Sequence, residues 1–139
     1  MTISTKGRYA LRMLVDLAEH QDRGYIALRD IAVRQGISKK YLEQIIPLLN
    51  QSDILLATRG FQGGYRLFGR PEEYTVGRIL RITEGKLAPV ACLKHDPVEC
   101  SRSGQCPTLP VWRGLYQVIN EYLDSITLQD ILDGNVQKR

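Results

Sequence analysis

Apolar residues recur at intervals of three and four through Ala10, Met13, Leu14, Leu17 and Ala18, which predicts an amphipathic helix over residues 8–19 with Ser4 or Thr5 as its N-cap. A shorter helical stretch over 28–35 stops at Gly36, where glycine can take the left-handed conformation that ends a helix cheaply. Ser38 then caps a third helix with Leu42, Ile45, Ile46 and Leu49 on its apolar face and Pro47 inside it, where a missing hydrogen bond predicts a kink. Two short helices joined by a tight glycine turn read as helix-turn-helix.

The period changes after Asn50. Residues 54–58 and 65–68 predict two strands around the loop Arg59-Gly60-Phe61-Gln62-Gly63-Gly64, whose glycines are expected to permit positive φ at the tip. Thr75 caps a further helix, with Tyr74 and Ile79 placed as a hydrophobic staple and Gly85 after its end. Periodicity vanishes over 86–107, a length of loop that is usually functional or disordered. A long helix follows over 109–125, with an apolar band too wide for one small domain to cover, and Thr127 caps a last short one. The expected fold is mainly α with a small β-hairpin wing: a winged helix-turn-helix domain over 1–85, a loop over 86–107, and a dimerisation helix with a C-terminal helix over 108–139.

Charge sharpens this picture. The chain of 139 residues carries a net charge of +4. Residues 1–70 hold 11 basic and 6 acidic side chains, against 8 and 9 in 71–139, so the basic excess belongs to the helix-turn-helix half. That asymmetry points to a polyanion, although a solvated basic face would give the same count. With no long apolar run there is no membrane span, and no leading apolar stretch marks a secretion signal, so a cytoplasmic protein is expected. No catalytic constellation or nucleotide-binding loop is present, which excludes the common enzyme classes.

The polar positions Lys39, Lys40, Glu43 and Gln44 fall on the first turns of the third helix, the part that enters the major groove in helix-turn-helix proteins. Lysines pair with phosphates or guanine edges, Gln44 can grip adenine, and Glu43 can accept from cytosine or reject bases that offer only acceptors. Arg59 at the glycine-rich tip suits a narrow minor groove. Gly63 and Gly64 would let the backbone approach the sugar-phosphate chain, with Tyr65 able to hydrogen-bond a phosphate.

All three cysteines, Cys92, Cys100 and Cys106, lie in the unpatterned loop. An odd number argues against a disulfide framework and for metal or redox chemistry. Their gaps of seven and five residues differ from those of zinc ribbons and ferredoxins, and three thiolates leave either a tetrahedral metal or a 2Fe-2S cluster one ligand short. The loop offers His95, Asp96 and Glu99, and the only other histidine is His20.

The ordered set Thr5-Lys6-Gly7-Arg8-Tyr9-Ala10, Gln35-Gly36-Ile37-Ser38 with Tyr41-Leu42-Glu43-Gln44, Arg59-Gly60 through Gly63-Gly64-Tyr65, Ile126-Thr127-Leu128, and three cysteines before Trp112-Arg113 resembles the Rrf-type winged-helix family of bacterial transcriptional regulators over nearly the whole chain. The resemblance implies a homodimer reading a two-fold symmetric double-stranded DNA operator, the long helices joining two heads about 34 Å apart. It also implies a 2Fe-2S cluster on Cys92, Cys100 and Cys106, and DNA contacts from Lys6, Ser38, Lys39, Lys40, Tyr41, Glu43, Gln44, Arg59, Gly60, Gly63, Gly64 and Tyr65. Cluster-binding members carry a ligand histidine three residues after the third cysteine, where this chain has Leu109, and their first cysteine gap is five residues. Nitric-oxide or redox sensors of the family take ligands from the partner's first helix, at positions that are Arg8 and Arg12 here. His95 ranks first for the fourth ligand, ahead of Asp96, Glu99 and His20, a neutral imidazole being a competent donor.

Overall fold

The computed structural model describes residues 2–95, 98 and 100–136. Six α-helices and one hairpin run in the order α1 (Thr5–Glu19), α2 (Leu28–Gln35), α3 (Lys39–Gln51), β1 (Leu55–Thr58), β2 (Gly64–Leu67), α4 (Val76–Glu84), α5 (Leu109–Asp124) and α6 (Leu128–Asp133).

Helix α1 starts earlier than its apolar period because the Ser4 hydroxyl accepts from Gly7 N–H at 3.1 Å and satisfies one of the free amides of the first turn. Ala10, Met13, Leu14 and Leu17 then line the centre of the core. Gly36 takes φ 64°, ψ 33°, and ends α2 in the left-handed conformation. The turn to α3 is closed by the Ser38 hydroxyl accepting from Tyr41 N–H at 3.1 Å. Leu42, Ile45 and Leu49 of α3 are fully buried, each worth about 1.5–3 kcal/mol relative to exposure. Helix α3 runs unbroken through Pro47, which lies on its exposed face, so the proline does not end the helix.

The hairpin is antiparallel, Leu55 facing Leu67 and Thr58 facing Gly64. It is fastened to the segment before α2 by Ile26 and Tyr65, which exchange two backbone hydrogen bonds of 2.8 Å. Of the three tip glycines only Gly60 has positive φ, at 104°. Gly63 and Gly64 are needed for a different reason: a Cβ on Gly63 would lie 2.6 Å from the Thr58 carbonyl oxygen, and one on Gly64 2.2 Å from that of Ile26. The expectation of positive φ at those two positions is corrected accordingly.

Among the described residues Asp16 is the one buried charged residue. Its carboxylate accepts two hydrogen bonds from the Arg34 guanidinium, at 2.9 and 2.7 Å, and one from Gln35 at 2.9 Å, which ties α2 to α1. After α5 the chain returns to the head. Val76 N–H donates to the Ile126 carbonyl at 2.8 Å and Leu128 N–H to that of Tyr74 at 3.0 Å, and Leu128 is fully buried in the main core. A second core joins Val76, Leu80, Leu87 and Ile126, with Ile119 and Leu123 of α5 against it.

Candidate nucleic-acid interface and cysteine loop

The Ser38 cap sets the direction of α3 and points its first turns outward, leaving Lys39, Lys40, Glu43 and Gln44 exposed on one side. Lys39 and Glu43 face the wing residues Thr58, Gly60, Phe61 and Gly64 across an open groove of about 460 Å³. Of the sequence-predicted positions, Lys39 and Glu43 of α3 therefore meet Gly60, Gly63, Gly64 and Tyr65 of the wing in one groove, while Lys40 and Gln44 are exposed on the same helix. Arg59 is exposed at the tip, and no acid stands between Asp53 and Glu72 to offset the hairpin arginines.

Tyr65, Gly63 and Gly64 line the same groove; Tyr65 also packs against the main core, and both glycines have a neighbouring carbonyl where a side chain would sit. The Tyr41 ring packs edge-on against Tyr9, with centroids 5.3 Å apart. Lys6 lies half-buried in the first turn of α1.

Arg29, on the first turn of α2, lines the same groove and a second one with Arg23, Tyr25, Asp30 and Phe61. The sequence signal for Arg29 was a cation in the first turn of a helix, where the macrodipole disfavours it.

The cysteine loop contains one short helical turn, Ala91–Leu93. Cys92 and Cys106 both pack, half-buried, against a small cluster of Ala88, Leu93 and Leu109, with Trp112 and Tyr116 of α5 beside them. Cys100 is exposed and accepts from Arg102 N–H at 3.4 Å. Cys106 lies just ahead of α5, where its hydrogen bonds to the Thr108 hydroxyl and to the backbone amides of Thr108 and Leu109 hold its thiol below the ordinary range. Among the described residues no three histidine, cysteine or carboxylate side chains converge. Three thiols free of disulfides, two of them against one apolar cluster at the start of α5, make a soft donor set that suits zinc as well as an iron–sulfur cluster.

His95 is exposed, whereas Asp96 and Glu99 lie outside the described residues. His20 donates from Nδ1 to the Asp16 carbonyl at 2.7 Å. Leu109 is buried as the first residue of α5. Arg8 bonds Thr5, and Arg12 reaches Gln35 across to α2.

Further contacts tie α4 to α5 and to the segment before α1. Arg81 of α4 grips Asp124 of α5 with both guanidinium nitrogens, at 2.8 and 2.9 Å, and also meets Asn120. At the last residue of α4, one turn beyond Arg81, Glu84 accepts from Ser4 N–H at 3.1 Å, ahead of α1. No helix among the described residues is long and apolar enough to cross a membrane.

Comparison with known proteins places these features in a family. The model of Rrf2, described as an iron-dependent transcriptional regulator, matches residues 3–134. The chain is 36% identical to the HTH-type transcriptional regulator IscR of Aliivibrio salmonicida, over 99% of this chain and 82% of that protein. It is also 36% identical to the HTH-type transcriptional regulator CymR of Bacillus subtilis, over 94% and 89%. Among solved structures, IscR of T. potens superposes with a TM-score of 0.77 at 38% identity, covering 96% of this chain and 88% of that one. The B. subtilis CymR structure, described as the global cysteine regulator, gives 0.78 at 34% identity, covering 94% and 95%.

Proposed function

The chain belongs to the Rrf2 family of transcriptional regulators, and from that premise we propose that it is a cytoplasmic homodimer that reads a two-fold symmetric operator, senses iron–sulfur cluster status through a 2Fe-2S cluster, and controls iron–sulfur cluster assembly genes. The observation that carries the DNA-binding part is the groove in which Lys39 and Glu43 of α3 meet the wing beside Arg29, with Arg59 exposed at the wing tip. Lys39 and Lys40 supply phosphate or guanine contacts, Gln44 and Glu43 discriminate among base edges, and Arg59 enters the minor groove.

Cys92, Cys100 and Cys106 would hold the cluster, with His95 as fourth ligand. When bound, the cluster supplies iron–thiolate bonds that are lost on oxidation or iron shortage. What this chain's residues contribute is the coupling. Cys92 and Cys106 share an apolar cluster with Leu109, the first residue of α5; α5 is gripped by Arg81 of α4, and α4 is tied through Glu84 to Ser4. A ligand biases such an arrangement only by its differential affinity for two states. Rearrangement of the loop therefore has to alter the seating of α5, and with it the relation of two heads in a dimer.

A second reading within the family, redox regulation by the thiols without a cluster, draws support from the equal identity to CymR and from the lowered Cys106 thiol. Anaerobic purification followed by iron and acid-labile sulfide assay and an absorption spectrum separates the two. Iron and sulfide in equal amounts are expected, together with steeply salt-dependent, sequence-specific duplex binding. Equal affinity of the cluster-loaded and cysteine-free forms across every operator tested would remove the sensing role and leave DNA binding in place.

A further inference from the structure

The wing carries at its tip an apolar side chain that the fold does not use. Phe61 is 101% exposed, although burying such a ring is worth about 1.5–3 kcal/mol. The turn that presents it is stiff. Gly60 supplies the left-handed backbone at φ 104°, and Gly63 N–H closes the turn onto the Gly60 carbonyl at 3.0 Å. Gly63 is packed too tightly against the Thr58 carbonyl to accept a side chain, and the tip-side end of β2 is pinned by the Ile26–Tyr65 pair. Phe61 is thus held out on a fixed arm.

Cations outnumber acids around it: Arg59 precedes it by two residues, and the two grooves it lines carry Arg23, Arg29 and Lys39 against Asp30 and Glu43. A protein partner would be met by a broad apolar patch, whereas here a fully exposed ring stands beside mostly cationic side chains. That combination fits the minor groove of duplex DNA, where positive side chains neutralise phosphate and apolar wedges enter base steps.

We propose that Phe61 is a wedge that enters the minor groove beneath the wing and partly unstacks one base step. Pyrimidine–purine steps unstack most easily, so the wing would select for such a step without a hydrogen bond to any base. Arg59 contributes charge and Phe61 contributes shape. This inference rests on the DNA-binding reading above and adds a specificity-determining residue to it.

The test uses the full chain. Wild-type protein selects its operator from a duplex library with a randomised core. Affinity at several salt concentrations, bend by circular permutation and 2-aminopurine fluorescence at the step beneath the wing are then measured for wild type, Phe61→Ser, Phe61→Leu and Arg59→Ala. Phe61→Ser is expected to lose about tenfold in affinity, the step preference and part of the bend, with the salt slope unchanged. Phe61→Leu, still a wedge, retains most of all three. Arg59→Ala lowers the salt slope by about one phosphate contact. A Phe61→Ser protein with wild-type affinity, step preference and bend overturns the wedge while DNA reading stands. Should the wild type enrich no sequence and show no salt-dependent binding, DNA reading and the wedge fall together.

Discussion

Asp16 of α1 and Arg34 of α2 form a two-pronged ion pair inside the head, the carboxylate fully buried and the arginine side chain 30% exposed. Burial alone would push the Asp16 carboxyl up, but the hydrogen bonds from Arg34 and Gln35, with the charge of Arg34, outweigh it and hold the group below its ordinary value. A depressed folded-state pKa means that unfolding takes up protons in acid. The stabilisation is therefore present above about pH 4 and is lost as pH falls through the lower, folded value. Asp16→Asn should destabilise the protein by about 3 kcal/mol at pH 7, since it leaves Arg34 facing a buried amide. Urea unfolding at pH 7 and pH 3 checks this: the gap between wild type and variant must narrow in acid, and an equal gap at both would refute the assignment.

The Arg81–Asp124 pair joins α4 to α5, and Gly77 makes room for it: a Cβ there would sit 2.1 Å from Asp124 Oδ1 and 3.1 Å from Arg81 Nη1. Both side chains are partly exposed, so solvent screening limits the pair to about 0.5–1 kcal/mol even in this bidentate geometry. Gly77→Ala and Asp124→Ala are each expected to cost about that much in thermal unfolding. The double variant should cost clearly less than their sum, because both remove the same interaction. Strict additivity would show that Gly77 serves some other purpose.

Helix α5 leaves Val111, Leu115, Val118 and Tyr122 exposed at 59, 43, 61 and 47%. Their spacing of four, three and four places them in one stripe, the face expected to join two protomers. Leu115→Asp combined with Val118→Asp should convert a dimer to a monomer in sedimentation velocity while circular dichroism keeps the helical signal. Unchanged sedimentation would remove α5 from the interface.

The cysteines make a prediction of a different kind. Serine at Cys92, Cys100 or Cys106 is expected to abolish acid-labile sulfide in anaerobically purified protein, whereas His95→Ala should lower the yield and shift the visible spectrum by changing one donor. A spectrum identical to wild type would exclude His95 and turn attention to ligands elsewhere.

What the sequence made legible was local. Ser38, Thr75 and Thr127 each accept a hydrogen bond from an amide in the first turn they precede, and such caps depend on a few adjacent residues. The strands moved by one residue, β1 starting at Leu55 where 54 was expected and β2 running over Gly64–Leu67 where 65–68 was expected. What it concealed was non-local. The need for glycine at 64 comes from Ile26, nearly forty positions earlier, and Arg29 joins the interface only because the wing folds back beside α2. The burial of Asp16 had one faint trace, its place three residues after Met13 within the apolar stripe, but its arginine partner lies on another helix. The wide apolar band of α5 gave away its unpartnered face, while the burial of Leu109, legible as the start of that helix, depends on its contacts with the cysteine loop.

The two short bonds between Ile26 and Tyr65 have a mechanical consequence. They fasten the arm to the segment leading into α2, which is itself clamped to α1, so both reading elements of one head travel as a single rigid piece. In a dimer of such heads the footprint on each half of an operator is set by the fold and does not adjust. The adjustable quantity is the separation of the halves, and a regulatory signal would be read as a changed tolerance for spacer length.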